Sequence, residues 1–408
     1  MTERHSGREG RPARRGGLGG QRGLTLVELM ISITLGLVVV GAVSYLYIGS
    51  RGAYRGNESL AHIQEAGRFA MDSITRDIRR AGALGCGTLA SVASGGTVTP
   101  TSIVRPANAT ALLAVDATTS VAGFAPASYS TVPTTTAWTP PAGAPAYWGG
   151  DVLQLQIGYG APARITGNPD PVGLTIPIAD NTKSPFSAGD MAVVANCSAA
   201  TIFMVTAVAT TTAPAANLSY GAGSAAAGGN GVLGGATPVL SPPQTPAFTS
   251  DTLPTVLHFD QVTYYLGIVP NSVSTAFPNG QPALYRYSLR TNTAEEIVEN
   301  IEDLDIVYGV AGTAAPNISL SAGDLKHAGL MGAADWANVV SIRVSVLAVG
   351  DQGSFQPAAA GQTTQTVLFR TDPTVDNSST LVADAAVPPD GRLRQAFTAT
   401  AAIRDRLK

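Results

Sequence analysis

The sequence predicts an α+β protein in which one long N-terminal helix precedes a β-rich head. An apolar run at residues 24–48 continues into a stretch with helical periodicity. Many short segments downstream alternate apolar and polar residues, as half-buried strands do. The composition agrees with this, because only 13% of the 408 residues are charged and the chain contains 45 Gly and 27 Pro. Such a composition favours a loop-rich β protein over a helical bundle.

Positive charge is concentrated at the N-terminus. The formal net charge is −3, yet residues 1–23 contain six Arg and two Glu, so the rest of the chain is acidic. No basic patch interleaved with aromatic residues follows residue 23. The sequence therefore argues against nucleic-acid binding.

The apolar run is predicted to be a membrane span. Residues 24–48 are 25 consecutive positions with a single charge, Glu28. A helix of that length crosses a hydrocarbon core of about 30 Å. The Arg-rich residues before the run and the acidic residues after it place the N-terminus in the cytoplasm, by the positive-inside bias. The head is then expected outside the cytoplasm.

The order of features at the N-terminus differs from that of an ordinary secretory signal. Such a signal has an apolar run of about 7 to 15 residues, followed by a cleavage site with small residues. Here the small residue, Gly23, stands before the apolar run, and the carboxylate of Glu28 lies five positions later. Another type of signal is therefore expected.

Residues Gly23–Met30, with the sequence GLTLVELM, resemble the class III signal of type IV prepilins and pseudopilins. The family pattern is Gly, Phe, Thr, Leu, Ile, Glu, and Leu24 stands where Phe is usual. The resemblance implies that a prepilin peptidase in the membrane cuts between Gly23 and Leu24 and methylates the new N-terminus at Leu24. Residues 1–23 would then be a removed leader, and residues 24–48 would be the retained transmembrane half of the helix.

Glu28 is the candidate residue for subunit assembly. A carboxylate inside the hydrocarbon costs about 2.5 to 3.5 kcal/mol at mid-span, so Glu28 needs a cationic partner. After cleavage, the N-terminal amine of Leu24 on a neighbouring subunit is such a cation, and the pair would set the axial register between subunits. The resemblance places Thr25 in the same assembly role. The alternative is that Glu28 lies near the membrane surface and is solvated.

Helical periodicity continues through residues 49–85, which are more polar and are predicted to be the amphipathic half of the helix. Gly82 and Gly85 end the pattern. A helix over residues 24–82 would be about 90 Å long. The apolar or small residues that recur at spacings of three and four are Leu60, Ile63, Gly67, Ala70, Ile74, Ile78 and Ala81.

A run of charged residues lies near the end of this helix. Its members are Arg76, Asp77, Arg79 and Arg80. We expect them on a solvated helix surface, and the alternative is that they bind a partner. Residues 70–82 together with Gly85 and Cys86 resemble the same region of PilW-type minor pilins.

The predicted head covers residues 86–408. Its expected strands are 152–159, 191–195, 202–207, 256–266, 284–289, 304–310, 339–349, 366–370 and 393–403. Alternation in 339–349 predicts one inward set, Val340, Ile342, Val344, Val346 and Ala348, and one outward set, Ser341, Arg343 and Ser345. Two stretches rich in Ala, Gly, Thr, Ser and Pro, about 88–148 and 208–254, are predicted to be loops or surface flaps that fill no core.

The resemblance to PilW-type proteins extends, more weakly, through the head. The matching segments are Gly189–Asp190, Asn196–Cys197, Ile202–Phe203, Leu284–Arg286, Ile301–Leu304, Tyr308–Val310 and Arg392–Arg404. Members of that family have an antiparallel sheet laid against the long helix. The resemblance therefore implies an α+β fold of the type IV pilin kind.

The two cysteines, Cys86 and Cys197, show neither CxxC spacing nor a nearby His pair, which argues against a zinc site or a thioredoxin-like motif. A single disulfide between them is the first interpretation, and a compartment outside the cytoplasm would be oxidising enough for it. Two separate buried thiols are the alternative.

No catalytic constellation is recognisable, so we expect a protein that is not an enzyme and that holds no metal or cofactor. The four histidines are scattered at positions 5, 62, 258 and 327. Gly229–Gly234 fits GxGxxG in its letters alone and is interpreted as a flexible loop, because no strand pattern precedes it and no helix pattern follows. The acidic and amide residues of Asp372–Asn377 lack the spacing of an EF-hand calcium loop.

The expected function is that of a minor pilin that helps to initiate or prime type IV pilus assembly near the pilus tip. Its expected partners are other minor and major pilins, the prepilin peptidase, the inner-membrane assembly machinery and membrane lipid. It would be stored in the bacterial inner membrane with its head in the periplasm and would then enter the pilus at the cell surface. One alternative is a pseudopilin of type II secretion or DNA uptake. Another is a membrane-anchored periplasmic adhesin or enzyme.

Overall fold

The structure is a computed structural model of the chain. The residues that it describes are 25–82, 101–102, 104–105, 121–124, 139–170, 172–195, 200–221, 229–230, 254–273, 280–310, 318–321, 339–354, 368–371, 381–383 and 391–403. By its internal contacts the chain divides into a unit that ends at Tyr54 and a second unit that begins at Arg55.

A single long helix, α1 (Leu26–Arg80), is present in the described part of the chain. It ends where the sequence predicts, since Gly82 adopts a left-handed φ of 80°, which glycine tolerates best. The helix end is attached to the sheet at once: Ala81 forms an isolated bridge with Ile157, and the Gly82 N–H donates to the carbonyl oxygen of Gln156 at 2.9 Å.

The strands, in chain order, are β1 (Thr101–Ser102), β2 (Val104–Arg105), β3 (Val121–Phe124), β4 (Tyr147–Arg164), β5 (Thr175–Ile178), β6 (Met191–Ala195), β7 (Ala200–Met204), β8 (Ala207–Thr210), β9 (Ala216–Ser219), β10 (Gly229–Asn230), β11 (Thr255–Ile268), β12 (Pro282–Ser288), β13 (Thr293–Glu299), β14 (Ile301–Val310), β15 (Ile318–Ser321), β16 (Val339–Gln352), β17 (Leu368–Thr371), β18 (Leu381–Ala383) and β19 (Arg392–Ala402).

Two sheets form most of the head. The larger has the order β1-β7-β6-β11-β12-β13, with β4 pairing with β11 and β3 pairing with β4. The second has the order β15-β14-β16-β19. All pairs in both sheets are antiparallel except β1 with β7. The α+β architecture predicted from the sequence is therefore confirmed.

The main hydrophobic core joins the C-terminal half of α1 to both sheets. Ile63, Ala70, Ile74 and Ile78 of the helix are at most 2% exposed and belong to the same cluster as residues from both sheets. The sheet residues of that cluster include Leu155, Val262, Leu284, Leu304, Ile306, Ile342, Val344 and Val346. Burial of this helix stripe against two sheets is what attaches α1 to the head.

The helix approaches the second sheet closely at Gly67 and at Ser59. A β-carbon added at Gly67 would lie 2.3 Å from ring carbons of Phe397 on β19. One added at Gly350, on β16, would lie 2.1 Å from the Ser59 hydroxyl oxygen. Neither glycine position has room for a larger side chain, so each sets how near the helix and the strand can come.

The predicted inward set of β16 is wrong at its first position and confirmed at the other four. Val339 is fully buried in the main core, whereas Val340 is half-buried. A register shift against β14 explains the change, because Gly309 pairs with Ser341 whereas Val310 pairs with Val339. Such a shift changes which residues point inward at the strand end.

Ser345 was expected to face outward but is only 1% exposed. Its hydroxyl lies 3.0 Å from the hydroxyl of Thr398 on β19, within hydrogen-bonding distance. A buried hydroxyl with a partner is compatible with a sheet interior.

The prediction that residues 208–254 fill no core is wrong for residues 216–220. Ala216, Leu218 and Tyr220 are buried in a second hydrophobic cluster, and β8 and β9 form a three-stranded sheet with β5. Within 88–148, the structure likewise contains the short strands β1, β2 and β3. Small and β-branched residues can form such strands without the alternation that longer strands show.

Asn230 contradicts the interpretation of residues 229–234 as a flexible loop at its first two positions, and residues 231–234 lie outside the described residues. Its side chain is 1% exposed and makes four hydrogen bonds to backbone groups. The amide oxygen accepts from the Met204 N–H at 2.7 Å, and the amide nitrogen donates to the carbonyl oxygens of Met204, Tyr220 and Gly221. These hydrogen bonds attach Asn230 to β7 and to the two residues that follow β9.

Candidate functional site

Thr25 caps the start of α1. Its hydroxyl oxygen accepts a hydrogen bond from the Glu28 N–H at 3.3 Å, and its carbonyl oxygen accepts from the Leu29 N–H at 3.1 Å. Threonine at the N-cap with glutamate three positions later is the spacing of a capping box. The acidic Glu28 in the first turn also interacts favourably with the positive end of the helix dipole. Local chemistry therefore starts the helix at this point.

The carboxylate of Glu28 is exposed and has no hydrogen bond or ion pair with any other residue that the structure describes. The nearby hydroxyl groups donate hydrogen bonds to carbonyl oxygens of the same helix. Ser32 donates to the carbonyl oxygen of Glu28 at 2.7 Å, and Thr34 donates to that of Ile31 at 2.9 Å. The Glu28 carboxylate is thus the charged group that this part of the helix presents to its surroundings.

The first half of α1 is exposed along its whole circumference. Its large hydrophobic residues range from Leu29 at 50% exposed to Tyr45 at 80%. Within the described part of the chain, α1 is the helix whose length and apolar composition suffice to cross a membrane. An exposed apolar surface of this extent requires lipid or the apolar surface of another subunit.

Several residues singled out by the sequence lie outside the described residues. They are Gly23 and Leu24 at the expected cleavage site, Cys86 and Cys197 of the expected disulfide, His5, His327 and Asp372–Asn377. The roles assigned to them stay predictions.

Asp77 was expected on a solvated surface with the other charges of its run, and this is wrong. Its side chain is buried, on the face of α1 that also contains Ile74 and Ile78. Arg76 pairs instead with Asp72 one turn earlier, and both of those side chains are more than half exposed. Asp77 lies three residues after Ile74, so the spacing of the apolar stripe was the signal that could have placed it inward.

Asp77 connects the helix to the larger sheet. One of its carboxylate oxygens, Oδ2, accepts from Arg286 Nε on β12 and from the Tyr264 hydroxyl on β11, both at 2.8 Å. Tyr264 also lies 3.2 Å from the carbonyl oxygen of Ser73. Burial disfavours the charge on Arg286, but the Asp77 carboxylate more than offsets this, and the pKa of Arg286 is raised.

A second polar cluster lies on β11 around His258 and Asp260. Asp260 accepts from the Ser288 hydroxyl at 2.7 Å and from the Arg290 N–H at 3.1 Å, and burial raises the pKa of this carboxyl. The His258 ring stacks on Phe186 with centroids 4.0 Å apart, and burial lowers its pKa. These side chains are held by packing and local hydrogen bonds.

Among the described residues, neither ring nitrogen of His258 is hydrogen-bonded to a hydroxyl or thiol group. Its Nε2 faces the carbonyl oxygen of Ser184 at 3.4 Å, and its Nδ1 lies 3.9 Å from Asp190, which also pairs with Arg290. His62, the other described histidine, is exposed on α1. The described stretches of the chain also contain no group of three His, Cys, Asp or Glu residues that could hold a metal ion.

Two family models match the chain. The model of the prokaryotic N-terminal methylation motif matches residues 18–44, and the model of type IV pilus-assembly protein W, PilW, matches residues 264–405. The two together support a type IV pilus-related pilin, and they indicate a structural protein. Comparison with curated proteins and with solved structures gives no match.

The PilW domain begins at Tyr264 and includes Arg286, so it supplies both partners of Asp77 and the whole of the second sheet. It also includes the PilW-like segments at 284–286, 301–304, 308–310 and 392–404. The similar segments at 70–86 and 189–203 precede the matched residues. The methylation motif contains Gly23, Leu24, Thr25 and Glu28. Together with the apolar helix, it fits a membrane-anchored pilin.

Proposed function

We propose that this PilW-domain protein is a minor pilin that helps to initiate type IV pilus assembly and lies near the pilus tip. The observation that carries the proposal is the order of three features along α1. A methylation motif at residues 18–44 leads into an exposed apolar half, and the buried stripe of the same helix docks on the PilW domain. Such a helix can anchor the subunit in lipid and later join it to other subunits.

The cleavage and the assembly contact follow from the residues around the helix start. Cleavage after Gly23 leaves the Leu24 amine one residue ahead of the Thr25 cap. The Glu28 carboxylate has no hydrogen bond or ion pair with a described residue, so it is available to a cation from outside its own helix. The amine of a neighbouring subunit meets this requirement, because an unpaired charge in an apolar surrounding is costly.

The position near the tip is supported by the size of the head. The unit that begins at Arg55 continues to Lys408. A head of this length is easier to accommodate at the end of a filament than in every repeat. The partners that follow are other minor and major pilins, with the prepilin peptidase and the inner-membrane assembly machinery acting earlier. The subunit is stored in the inner membrane, with its head in the periplasm, before it enters the pilus.

Deletion of the gene, followed by complementation, tests the proposal. We expect the deletion strain to show few surface pili in sheared fractions, although the major pilin is still made, and we expect the intact gene to restore them. Normal piliation without this protein would contradict the proposal. A loss of protein secretion with normal pili would instead identify a pseudopilin of a type II secretion system, which shares the methylation motif.

A further inference from the structure

A polar pocket lies on the larger sheet, where the end of α1 meets β4, β11, β12 and β13. Its volume is about 320 Å³, at the lower end of the range of small-molecule sites. The buried Asp260 and Ser288 belong to its lining, together with three arginines, Arg80, Arg286 and Arg290. We call it the arginine pocket. Its lining differs from the hydrophobic cores of the head, because most of its side chains are polar or charged.

Arg80 brings a positive charge to the pocket that no described residue neutralises. It is the last residue of α1, and its exposed side chain forms no hydrogen bond or ion pair with a described residue. The negative end of the helix dipole favours a cation in the last turn. The guanidinium N–H groups are thus held at the pocket without an acceptor among the described residues.

Arg286 also has unused hydrogen-bond donors. Within the described part of the chain only its Nε is engaged, with Asp77 Oδ2 at 2.8 Å. The Arg286 side chain is 23% exposed, so most of it is removed from water while its two terminal nitrogens have no described acceptor. The planar fork of a guanidinium matches the two oxygens of a carboxylate. Arg286 therefore offers the donors that an anionic ligand needs.

The two aspartates beside Arg290 are already engaged. Asp260 accepts hydrogen bonds from the Ser288 hydroxyl at 2.7 Å and from the Arg290 N–H at 3.1 Å. Asp190 pairs with the Arg290 side chain, with 3.3 Å between Oδ1 and Nη1. These contacts compensate the negative charges near Arg290. The donors that remain for a ligand are those of the other two arginines.

Glu295 supplies a separate acceptor in the lining. It stands directly opposite Arg286 in the register of β12 and β13, a position at which cross-strand ion pairs form. The two side chains form no ion pair, since Arg286 binds Asp77 instead. Glu295 is exposed, and no described residue donates a hydrogen bond to its carboxylate. The arginine pocket thus presents N–H donors together with a carboxylate that is not used to neutralise them.

The rest of the lining suits a ligand that carries hydroxyl groups. The hydroxyl oxygens of Thr291 and Thr293 lie 2.6 Å apart, and a hydroxyl group can donate and accept at the same time. Little apolar surface is available, because Ile157 is only 2% exposed and the Tyr159 ring already contacts the Arg290 guanidinium. Such a ligand is held by charge and hydrogen bonds and not by apolar contact.

We propose that the arginine pocket binds an acidic sugar, with the sugar carboxylate at Arg80 and Arg286 and a sugar hydroxyl group donating to Glu295. A hexuronate combines one carboxylate with several hydroxyl groups on a single ring and carries no other charge. A neutral sugar would leave the arginines without an anion, and a simple anion would leave Glu295 without a donor. The inference goes beyond the proposed function, because it gives the head a ligand of its own and does not depend on a role in pilus assembly.

Calorimetric titration of the full-length protein with matched ligands tests the site, in a detergent whose headgroup is not a sugar. D-Galacturonate and D-galactose differ only in the carboxylate, and acetate supplies a carboxylate without hydroxyl groups. We expect galacturonate to bind with a dissociation constant about tenfold lower than that of either comparison ligand, because it alone makes both the charge-assisted and the hydroxyl hydrogen bonds.

Substitutions at exposed positions assign the binding to this pocket. Arg80→Gln should raise the dissociation constant for galacturonate about tenfold and leave that for galactose unchanged. Glu295→Ala should weaken galacturonate binding, whereas acetate, which has no hydroxyl group to donate, should bind no more weakly than before. Arg79→Gln removes the same charge from the neighbouring exposed arginine, which is not part of the lining, and is the matched control. Unchanged unfolding temperatures show that the variants are folded.

A wild type that does not bind galacturonate would overturn the inference. So would acetate that binds as tightly as galacturonate, since the pocket would then recognise only an anion, or an equal loss of binding in the Arg79 and Arg80 variants. A trimer of galacturonate that binds more tightly than the monomer supports a sugar within a polysaccharide as the ligand, and equal binding of the two supports the free sugar.

Discussion

Asp77 on α1 pairs with Arg286 on β12, with 2.8 Å between Oδ2 and Nε, and the two residues are 209 positions apart in the chain. The Asp77 side chain is 8% exposed and that of Arg286 is 23% exposed, so the pair is largely removed from water. The pair fixes the rotation of the helix on the larger sheet, because Tyr264 binds the same carboxylate oxygen from β11.

Asp77→Ala should destabilise the head, since it leaves the largely buried Arg286 without its carboxylate partner and leaves the Tyr264 hydroxyl with only the Ser73 carbonyl oxygen as acceptor. We expect a loss of about 3 kcal/mol in the free energy of unfolding, measured by denaturant titration of the full-length protein. Asp72→Ala, which removes an exposed pair on the same helix, should cost less than about 1 kcal/mol. Equal effects of the two substitutions would contradict the special role of Asp77.

Gly67→Ala should destabilise the protein, because the added methyl group would overlap the ring of Phe397. Overpacking of this kind costs about 1 to 3 kcal/mol. The double variant Gly67→Ala with Phe397→Leu should recover part of the loss, which thermal unfolding can measure. Gly49→Ala is the matched control: nothing lies within 4 Å of its added methyl group, so alanine there should not destabilise the protein.

Acidification should destabilise the head through His258. Burial lowers its pKa, so the unfolded chain takes up a proton that the folded protein refuses as the pH falls through the usual histidine value of about 6.5. Stability is therefore fully present above that pH and is lost below it. Asp190 and Arg290 are the charged groups nearest the ring, and Tyr159 and Phe186 stack on it.

His258→Gln should reduce the slope of unfolding free energy against pH between pH 7 and 5, by at most about 1.4 kcal/mol per unit. Asp260, whose pKa burial raises, contributes a slope of the opposite sign in both proteins, so the comparison isolates His258. His62→Gln, at an exposed position, should leave the slope unchanged. An identical slope in the His258 variant would show that this histidine does not control the acid response.

Glu28→Ala should leave membrane insertion intact, because insertion depends on apolar length, and should reduce incorporation into pili. Glu28→Gln should behave in the same way if charge is what matters, and Glu28→Asp should retain part of the function. Co-purification with other pilins, in a strain without the wild-type copy, measures the effect. Glu58→Ala removes an exposed carboxylate from α1 beyond the apolar run and serves as the control. Normal piliation by a correctly processed Glu28→Ala protein would rule out the register role.

Processing at Gly23 is expected to leave a mature chain that begins with methylated Leu24. Intact-mass analysis of protein from host membranes measures both changes at once. Gly23→Leu should block cleavage, whereas the same change at Gly20, within the leader, should not. Retention of residues 1–23 in the wild type would refute the prepilin signal.

The periodicity of apolar residues predicted the elements whose pattern depends only on neighbouring residues in the chain. The helix stripe from Ile63 to Ala81 is buried, and most strands lie within a few residues of their expected bounds, because alternation of polarity depends only on neighbouring residues. Asp77 was predicted on the solvated surface because it is charged. Its partner Arg286 is 209 positions away in the chain, so no local pattern indicates the pair. The shift at Val339 depends on pairing with β14, which no local pattern contains.

The candidate site was predicted from a resemblance to a known signal and not from periodicity. The resemblance of Gly23–Met30 to a prepilin signal agrees with the methylation motif found there, and the cap at Thr25 follows the spacing of a known box. A groove between α1 and the ends of β13 and β16 was missed, because elements that are remote in the sequence form it together. Its lining combines Glu65 with residues more than 200 positions away, and single-sequence patterns do not show such proximity.

Ser32 and Thr34 donate hydrogen bonds to carbonyl oxygens of their own helix, which occupies both hydroxyl groups within the apolar half of α1. With both hydroxyl groups satisfied internally, the first three turns offer no polar group except Glu28 that would favour one azimuth toward a passing helix. Under the proposed assembly, a neighbouring helix that packs along this half of α1 would be selected by the charge and the depth of one carboxylate, and not by a pattern of hydroxyl groups.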